Sequence, residues 1–339
     1  MSERIFSLSR ETWIDAGFQF CHRERLQGER GSTGAFMLGI IIINFNQYQK
    51  TIDCIRSIPG SFRGEYKIYL IDNASSNGSV AILSELYKNR PEIELIASPT
   101  NLGYARGNNL GLARARMDGC GAALISNNDI LYKEDAIRLL VETLKKTDYF
   151  LVGPLVRAIN GQVMKTTQKN PPGIFRYLLD QTILGRLVPE KYKLLNVAGT
   201  DGLSEVYWVS GCSFIVDVKR FEQIGFFDPE TFLYFEEFIL SKKAARANLK
   251  IGFQPAAEVV HYHGASVGKR DIVVQLENWK SEHYFLKKYE RLPLPWLFVV
   301  WILRTLFVFI CWGKDGFIRE VGYFFRESLK VLTVSYPLK

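Results

Sequence analysis

Runs of apolar residues alternate with helix-like patterns through the first half of the chain. Leu38–Ile43 is a continuous apolar run, which is typical of a strand buried on both faces. Further strands are predicted at Tyr66–Ile71, Ile93–Ala97 and Ala122–Ser126. Apolar residues recur at helical spacing in segments near Ile52, Val80, Gly107 and Ala136. This β-α-β-α-β-α-β order predicts right-handed crossovers, and therefore an α/β fold with a mostly parallel sheet flanked by helices.

The pattern is less regular in the second half of the chain. Residues 160–205 contain many loop signals, such as Asn170-Pro171-Pro172-Gly173. A helix is predicted over Glu236–Asn248. Strands are predicted at Val206–Ser210, Phe214–Val218, Lys250–Phe253 and Glu258–His261. Residues 1–36 are polar and aperiodic, so we expect a poorly ordered extension there.

Two apolar helical segments are predicted near the C-terminus. Leu294–Trp312 holds twelve Leu, Ile, Val or Phe residues, with Arg304 near its middle. Its nineteen residues just reach the length of a membrane span, but the central arginine also suits an interfacial helix. Phe317–Leu332 carries apolar residues at helical spacing opposite basic ones. We expect peripheral or monotopic attachment to the cytoplasmic face of a membrane, and a pair of core helices is the alternative.

The charge distribution agrees with a membrane surface as a partner. The chain has 339 residues and a formal net charge of +8. Residues 280–339 contribute ten Lys or Arg and five Asp or Glu, so the basic excess lies beside the most apolar segment. This arrangement favours an anionic membrane over nucleic acid, for which no zinc-finger, RNP or KH signature is present. The five cysteines show no C-x-x-C spacing, and the first residues lack an apolar signal segment, so we expect reduced thiols on the cytosolic side.

Polar side chains follow four successive predicted strands, namely Asn44, Asp72, Asn101 and Asp129. Ligands of open α/β sheets bind beyond the carboxyl ends of the strands. Each residue alone could be a turn or helix cap, but their shared position predicts a single site. No G-x-G-x-x-G, G-x-x-x-x-G-K-[ST] or G-x-S-x-G motif is present in the expected place, which disfavours a Rossmann dinucleotide site, a P-loop and a hydrolase elbow.

These side chains suit a nucleotide diphosphate. An aspartate such as Asp72 can accept hydrogen bonds from a base or ribose, and the Arg106 guanidinium can bind phosphate oxygens. Asp129 can hold Mg²⁺ or Mn²⁺ beside a diphosphate, assisted by the carbonyl of Asn127. A surface arginine and an ordinary strand-end aspartate are the simpler alternatives for these residues.

Residues 38–268 resemble glycosyltransferase family 2, which has the GT-A fold, and most of all its rhamnosyltransferase branch. The resemblance rests on several blocks in a fixed order: IIIINFN, LIDNASSNGS, NLGYARGNNLGL, ALISNND, Val209-Ser210-Gly211-Cys212, IGFFD and LYFEE. It implies inverting transfer of a sugar from a nucleotide donor. The family places its catalytic base in a Glu-Asp pair, where this chain has Glu236-Glu237. The residues that follow also depart from the family pattern, which places full activity in question.

The resemblance implies a role for each of these positions. Glu237, with Glu236, would be the catalytic base, and Asp129 and His261 would hold Mg²⁺ or Mn²⁺, with His263 as a second candidate for the histidine. The residues expected to bind the nucleotide sugar are Asn44, Asn46, Asp72, Asn73, Asn101, Gly103, Arg106, Asn127 and Gly211. Without the resemblance, two glutamates at a helix start would read as favourable charges at the helix dipole.

The expected organisation has three parts: an extension at 1–36, a GT-A domain at 37–275, and a helical membrane-association segment at 276–339. The domain divides into a nucleotide-binding half, 37–150, and an acceptor half, 151–275. We expect dTDP-rhamnose or a UDP-hexose as donor and a surface-polysaccharide or lipid-linked glycan as acceptor. The alternative is a catalytically weakened protein that binds nucleotide sugars and serves as a scaffold in a membrane glycan assembly.

Overall fold

The computed structural model describes residues 36–169, 171, 202–262, 272–312 and 318–334. The strands are β1 (Leu38–Asn44), β2 (Tyr66–Asp72), β3 (Ile93–Ala97), β4 (Ala122–Asn127), β5 (Ile130–Tyr132), β6 (Tyr149–Ala158), β7 (Thr167–Gln168), β8 (Ser204–Val206), β9 (Trp208–Val209), β10 (Ser213–Asp217) and β11 (Lys250–His261). The helices are α1 (Tyr48–Ser61), α2 (Ser79–Tyr87), α3 (Gly103–Met117), α4 (Ala136–Lys146), α5 (Val218–Gln223), α6 (Glu236–Arg246), α7 (Ile272–Tyr284), α8 (Leu294–Trp312) and α9 (Ile318–Leu332). A π-helical turn, Phe285–Tyr289, follows α7.

A large mixed sheet forms the centre of the fold, with the strand order β3-β2-β1-β4-β10-β6-β11-β5. Strands β3, β2, β1 and β4 run parallel, as the alternating pattern of the first half predicts. Strand β10 runs antiparallel between β4 and β6. Strand β11 is parallel to β6 and antiparallel to β5 and β8. The α/β fold with a large helix-flanked sheet is therefore confirmed, and its second half adds antiparallel strands.

Strand β11 is one continuous strand where the sequence pattern predicts two, Lys250–Phe253 and Glu258–His261. A register shift between Gln254 and Glu258 interrupts its pairing with β6 opposite Pro154. Proline has no N–H to donate, so it is tolerated inside a sheet at such an irregularity. The irregularity in β11 therefore allows Pro154 to lie inside β6.

Glycines in α3 let this helix lie directly on β1. A Cβ atom on Gly107 would lie 2.9 Å from Cδ1 of Ile43, and one on Gly111 would lie 2.6 Å from Cγ2 of Ile41. Both distances are shorter than carbon atoms tolerate, so the close approach depends on the missing side chains. The helix consequently brings its N-terminal end over the carboxyl ends of the parallel strands.

The C-terminal helices form a second apolar cluster. The buried face of α8 includes Leu297, Val300, Trp301 and Val308. Ser328 of α9 joins the three helices, because its carbonyl accepts from Nε1 of Trp279 at 3.1 Å and its Oγ accepts from Nε1 of Trp301 at 2.8 Å.

The central arginine of α8 lies inside this bundle. Arg304 donates to the buried carboxylate of Glu282 through Nε at 2.7 Å and through one terminal nitrogen at 2.9 Å. This fork-to-carboxylate pairing gives the arginine a structural partner on α7. Within the described parts of the chain, no helix is both long and apolar enough to cross a bilayer.

Four predictions fall wholly or partly on residues that the structure does not describe. These concern the N-terminal extension up to residue 35, residues 170 and 172–201 of the irregular stretch, the second histidine candidate, His263, and the start of the last apolar segment at Phe317.

Candidate active site

The ends of β1 and β2 lie side by side, with Asn44 paired to Asp72 in the parallel register. Nδ2 of Asn44 donates to Oδ2 of Asp72 at 2.7 Å and to Oγ of Ser75 at 3.1 Å. The Ser75 amide donates to Oδ1 of Asp72 at 2.8 Å. Asp72 is fully buried, so in this structure its carboxylate orders the loop after β2. Its direct contact with a nucleotide stays a prediction.

The loop after β1 is fastened to the same structure. Asn46 has a φ of +55°, which asparagine tolerates better than most residues. Its amide donates to Oγ of Ser75 at 2.8 Å, and its Oδ1 accepts from the amide of Ser76 at 2.8 Å. Both asparagines that the sequence singles out after β1 therefore contact the loop after β2.

Asn73 and Asn101 shape the start of α3. Asn73 accepts from the amide of Leu102 at 2.9 Å and donates to the carbonyl of Gly103 at 3.1 Å. Oδ1 of Asn101 accepts from the Gly103 amide at 2.9 Å. Gly103 has a φ of +71°, and a Cβ atom there would lie 2.3 Å from the carbonyl oxygen of Phe232, so glycine is required. These residues position α3 against the strand ends.

A buried hydrogen-bond chain extends from Asp72 towards Asp129. Oδ1 of Asn44 accepts from Oγ1 of Thr51 at 2.7 Å. The same Thr51 hydroxyl accepts from Nδ2 of Asn128 at 3.0 Å. Asn128 directly precedes Asp129, so the ends of β1, β2 and β4 share one polar network.

Asp129 and His261 face each other at the end of that network. Nε2 of His261 lies 3.1 Å from Oδ1 of Asp129, and both side chains are 9% exposed. The amide of Tyr262 donates to the carbonyl of Asp129 at 2.9 Å, which fixes the end of β11 on the start of β5. A carboxylate and an imidazole at this separation are donors that Mn²⁺ accepts. Among the described residues, no group of three or more His, Cys, Asp or Glu side chains is arranged to hold a metal without further ligands.

The two glutamates begin helix α6 after a strained turn. Tyr234 and Phe235 have φ values of +71° and +69°, which are unfavourable for aromatic residues. Glu236 is buried, and its Oε1 has no hydrogen-bond partner in the described structure. Burial and the neighbouring Glu237 raise the pKa of the Glu236 carboxyl well above its ordinary value. The Glu236 carboxyl is therefore harder to ionise than that of an exposed glutamate.

Glu237 is partly exposed and is held from the opposite side of the site. Its Oε1 accepts from the Gly211 amide at 2.8 Å, and Gly211 in turn accepts from the hydroxyl of Tyr104 at 2.6 Å. A Cβ atom on Gly211 would lie 2.6 Å from that carboxylate oxygen, so only glycine fits. Loss of hydration raises the pKa of Glu237, although the hydrogen bond from Gly211 lowers it in part. A carboxylate with a raised pKa is a stronger base.

The turn that carries Gly211 also contacts β4. The carbonyl of Cys212 accepts from the amide of Asn127 at 2.8 Å. Short steps through hydrogen bonds and adjacent residues therefore connect Glu237, Gly211 and Asn127 with Asn128 and Asp129. The structure brings the three predicted acidic positions, 72, 129 and 237, into one connected polar framework.

Arg106 makes a contact that the sequence pattern does not foresee. Its side chain is exposed, and its Nε donates to the carbonyl of Pro229 at 2.7 Å. The guanidinium thus supports the loop before α6. Its predicted contact with phosphate oxygens stays untested.

Sequence reasoning missed four residues of this framework as candidates. Thr51 and Asn128 bridge the strand ends, Tyr104 supports Gly211, and Nζ of Lys50 lies 3.5 Å from the carbonyl of Tyr262, beside His261. Asn128 and Tyr104 occur inside the quoted motifs, which is a usable signal. Thr51 and Lys50 lie on α1 among ordinary helical residues, and only the packing of α1 reveals their role.

Comparison with known proteins shows which family and which proteins the chain is similar to. Residues 39–199 match the family model described as glycosyl transferase family 2. An N-acetylglucosaminyl-diphospho-decaprenol L-rhamnosyltransferase from Mycobacterium tuberculosis is 25% identical over 247 residues, which are 68% of this chain and 78% of that protein. The low-salt glycan biosynthesis hexosyltransferase Agl10 from Haloferax volcanii is 27% identical over 230 residues, 66% of each chain.

A solved structure supports the fold. The crystal structure of GalNAc-T7 with UDP, GalNAc and Mn²⁺ superposes with a TM-score of 0.56 at 14% identity. The superposition covers 76% of this chain and 50% of that chain, so the chain spans about half of that protein. The fold is therefore GT-A-like, as the sequence resemblance implies. Residues 39–199 are therefore similar to glycosyl transferase family 2, and the curated relatives of the chain are named as rhamnosyl- and hexosyltransferases.

Proposed function

We propose that this glycosyltransferase transfers a sugar with inversion from a nucleotide donor to a hydroxyl of a glycan, assisted by a divalent metal. One observation carries the proposal: hydrogen bonds and adjacent residues link the buried end of β2, the Asp129–His261 pair and the carboxylate of Glu237. Displacement at an anomeric carbon needs support for a leaving diphosphate and a base for the attacking hydroxyl. The framework offers both kinds of group at one edge of the sheet.

The nucleotide would lie over the ends of β1 and β2. Asn44, Asn46, Asp72 and Asn73 order the two loops there, and Asn101 and Gly103 order the start of α3. Phe45 lies on the same loop with 44% of its surface exposed, so its ring is available to stack on a base. A ligand at this position would follow the general rule for open α/β sheets.

The leaving diphosphate would lie at Asp129 and His261. These side chains would hold Mg²⁺ or Mn²⁺, with the remaining ligands supplied by diphosphate oxygens, as is usual when a protein contributes only a few ligands. The bound metal would supply positive charge for the oxygen released from the anomeric carbon. Lys50 reaches the backbone next to His261 and would add a second positive charge.

Glu237 would remove the proton from the acceptor hydroxyl. The Gly211 amide fixes its Oε1, which leaves its other carboxylate oxygen for the acceptor. Its raised pKa suits a group that must hold a proton during transfer. Burial and the charge of Glu237 raise the pKa of the neighbouring Glu236, so Glu236 is harder to ionise.

The curated relatives guide the choice of substrates. One relative is named as a rhamnosyltransferase that acts on N-acetylglucosaminyl-diphospho-decaprenol, and the other as a hexosyltransferase of glycan biosynthesis. We infer dTDP-L-rhamnose as the first donor to test and a UDP-hexose as the second. The acceptor would be a lipid-linked or surface glycan.

A lipid-linked acceptor would place the enzyme at the cytoplasmic face of a membrane. Helix α8 exposes a set of large apolar side chains: Leu294, Trp296, Phe298, Val299, Ile302, Leu306, Phe309 and Ile310. Soluble surfaces rarely carry so much apolar area on one helix. Helix α9 adds exposed Arg326 and Lys330, which would attract anionic headgroups. Peripheral binding through α8 and α9 would follow.

Incubation of the full-length chain with a panel of nucleotide sugars and Mn²⁺ tests the proposed function. The panel contains dTDP-L-rhamnose, UDP-glucose, UDP-galactose, UDP-GlcNAc and GDP-mannose, with a lipid-linked glycan as acceptor. We expect one donor to be consumed in the presence of metal, and NMR of the product to show an inverted anomeric centre. Absence of turnover with every donor, in a protein with intact circular dichroism, would contradict the proposal; donor binding without turnover would select the scaffold alternative.

A further inference from the structure

The loop that presents the two glutamates is held in an unfavourable conformation. We call residues 224–235, between α5 and α6, the base loop. Phe226, Tyr234 and Phe235 in this loop all have positive φ values, of +51°, +71° and +69°. Non-glycine residues keep such angles only where surrounding contacts enforce them. The contacts that hold the base loop therefore decide where Glu237 lies.

Helix α3 holds one side of the base loop. Asn109 contacts Phe227 twice, because its Nδ2 donates to the Phe227 carbonyl at 2.9 Å and its Oδ1 accepts from the Phe227 amide at 3.0 Å. Arg106 donates to the Pro229 carbonyl, and the amide of Tyr104 donates to the Phe232 carbonyl at 2.8 Å. Helix α3 thus fixes one side of the base loop through hydrogen bonds.

Helix α7 and the π-helical turn contact the other side of the base loop, around the buried carboxylate of Asp228. Oδ2 of Asp228 accepts from the Tyr284 hydroxyl at 2.8 Å, from Nζ of Lys288 at 3.1 Å and from the Tyr289 hydroxyl. Nearer to the glutamates, Oγ of Ser281 donates to the Leu233 carbonyl at 2.9 Å. None of these six residues falls within the matched family segment, 39–199.

We propose that Tyr284, Lys288 and Tyr289, acting through Asp228, are positioning residues for the catalytic base. They fix the base loop so that Glu237 stays on the Gly211 amide and faces the acceptor. The inference rests on the proposed function, in which Glu237 is the base. The inference gives α7 and the π-helical turn, which follow the GT-A-like sheet in the chain, a role in positioning the catalytic base.

The chemistry of the cluster favours positioning over simple packing. Burial raises the pKa of the Asp228 carboxyl, but hydrogen bonds from Tyr289 and Tyr284 and the charge of Lys288 outweigh burial and lower that pKa below its usual value. A buried, fully hydrogen-bonded carboxylate is costly to desolvate and often adds less stability than an apolar anchor. It does impose a specific geometry, because several donors must meet one oxygen.

The test compares the full-length enzyme with Tyr284→Phe, Tyr289→Phe and Asp228→Asn. Both tyrosine variants keep the buried ring and remove only a hydroxyl. Lys280→Ala serves as the matched control, since Lys280 lies on α7 in an exposed pair with Glu277. We expect kcat to fall about 10- to 100-fold in the three cluster variants, as for a small misplacement of a catalytic group. The donor Kd should stay within about twofold of the wild-type value, and the control should match wild type.

Hydrogen exchange of the peptide that covers residues 232–240 gives a second readout that needs no activity. We expect faster exchange there in the cluster variants and unchanged exchange in α1 and β1. Unchanged kcat together with unchanged exchange in Tyr284→Phe and Tyr289→Phe would overturn the inference, even if Asp228→Asn fails to fold. An inactive wild-type enzyme would refute the proposed function, and the exchange measurement would then decide whether the cluster fixes the base loop.

Discussion

The imidazole of His261 lies against the carboxylate of Asp129, with Nε2 3.1 Å from Oδ1, although 132 positions separate them in the chain. The antiparallel pairing of β11 with β5 creates this contact, because Ile130 is the partner of His261 in the register. The strand-end aspartate thereby lies beside an imidazole, the second ligand in the proposed metal site. The proposed metal site depends on this single pairing.

Removal of either member of that pair should abolish metal-dependent donor binding. We expect Asp129→Asn and His261→Ala each to weaken Mn²⁺-dependent binding of the nucleotide sugar by about 10- to 100-fold, comparable to losses of metal affinity at disturbed sites. Isothermal titration with and without Mn²⁺ measures the difference. Asp53→Asn, which changes an exposed carboxylate on α1, is the control. Equal Mn²⁺ dependence in all variants would argue against the metal assignment.

Replacement of the base should separate binding from transfer. In Glu237→Gln the side chain keeps its shape and its hydrogen bond from Gly211, but it cannot take up a proton. We expect kcat to fall about 10²- to 10⁴-fold while donor binding stays intact. Glu277→Gln on the exposed face of α7 controls for the loss of a carboxylate. A Glu237→Gln enzyme with normal turnover would remove Glu237 from this role.

The pH dependence of the same reaction gives a related check. The base must be ionised, so activity should be lost as the pH falls through the pKa of Glu237. Because desolvation raises that pKa, the acid limb of kcat should lie above the ordinary glutamate value of 4.5. The ionisable groups around Glu237 include Glu236, Tyr104, Tyr234 and Cys212, and burial raises the pKa of each. An acid limb of kcat at or below pH 4.5 would show that the Glu237 carboxylate is hydrated as in an exposed glutamate.

Glu236 should limit stability at high pH. Its folded-state pKa is raised, so the folded chain holds this proton more tightly than the unfolded chain does. The resulting decrease in the free energy of unfolding is absent below the pKa of Glu236 in the unfolded chain. It grows as the pH rises above that value and levels off above the pKa of Glu236 in the folded chain. We expect Glu236→Gln to be more stable than wild type at pH 8 and about equal at pH 4. Urea unfolding at both values measures this difference, and a pH-independent difference would be inconsistent with a buried protonated carboxyl.

Gly211 should tolerate no side chain. In Gly211→Ala the new methyl group would meet the Glu237 carboxylate at 2.6 Å and the Tyr104 hydroxyl at 3.0 Å. We expect a loss of about 1–3 kcal/mol in unfolding free energy, typical of overpacking, and a lower kcat from displacement of the base. Gly60→Ala is the control, because no atom lies within 4 Å of its added carbon and the helical position favours alanine. Comparable stability of Gly211→Ala and wild type would contradict the tight fit.

The exposed face of α8 should mediate membrane binding. We expect Phe298→Ser and Phe309→Ser to reduce flotation with vesicles of anionic lipid, because both side chains are exposed and contribute apolar area. Leu86→Ser, a comparably exposed apolar position on α2, should leave flotation unchanged. Wild-type protein that does not float with vesicles at low salt would exclude this surface as a membrane contact.

The sequence pattern predicted the parallel half of the sheet well. Continuous apolar runs such as Leu38–Ile43 can satisfy their burial only inside a covered sheet, and the polar residues that follow then share an edge. Strand β6 was not predicted, because Pro154 normally argues against an inner strand and its tolerance depends on a bulge in the distant β11. The Asp228 cluster was also not foreseen, since its contacts join residues 56 to 61 positions apart.

The candidate site shows the same division. Asn44, Asp72 and Asp129 are candidates because they follow predicted strands, whereas the contacts of Thr51 depend on how α1 packs. The guanidinium of Arg106 was expected at a phosphate, but its contact with the Pro229 carbonyl depends on where the base loop lies. The spacing of residues along the chain does not predict side-chain contacts that depend on the tertiary structure.

The decisive experiment is a crystal structure of the enzyme with Mn²⁺ and an unreactive analogue of its nucleotide-sugar donor. We expect the diphosphate on a metal held by Asp129 and His261, with the anomeric carbon facing the carboxylate of Glu237. A donor bound elsewhere, for example in the shallow groove between α1 and α2, with Glu237 far from its sugar, would refute the proposed roles of these residues.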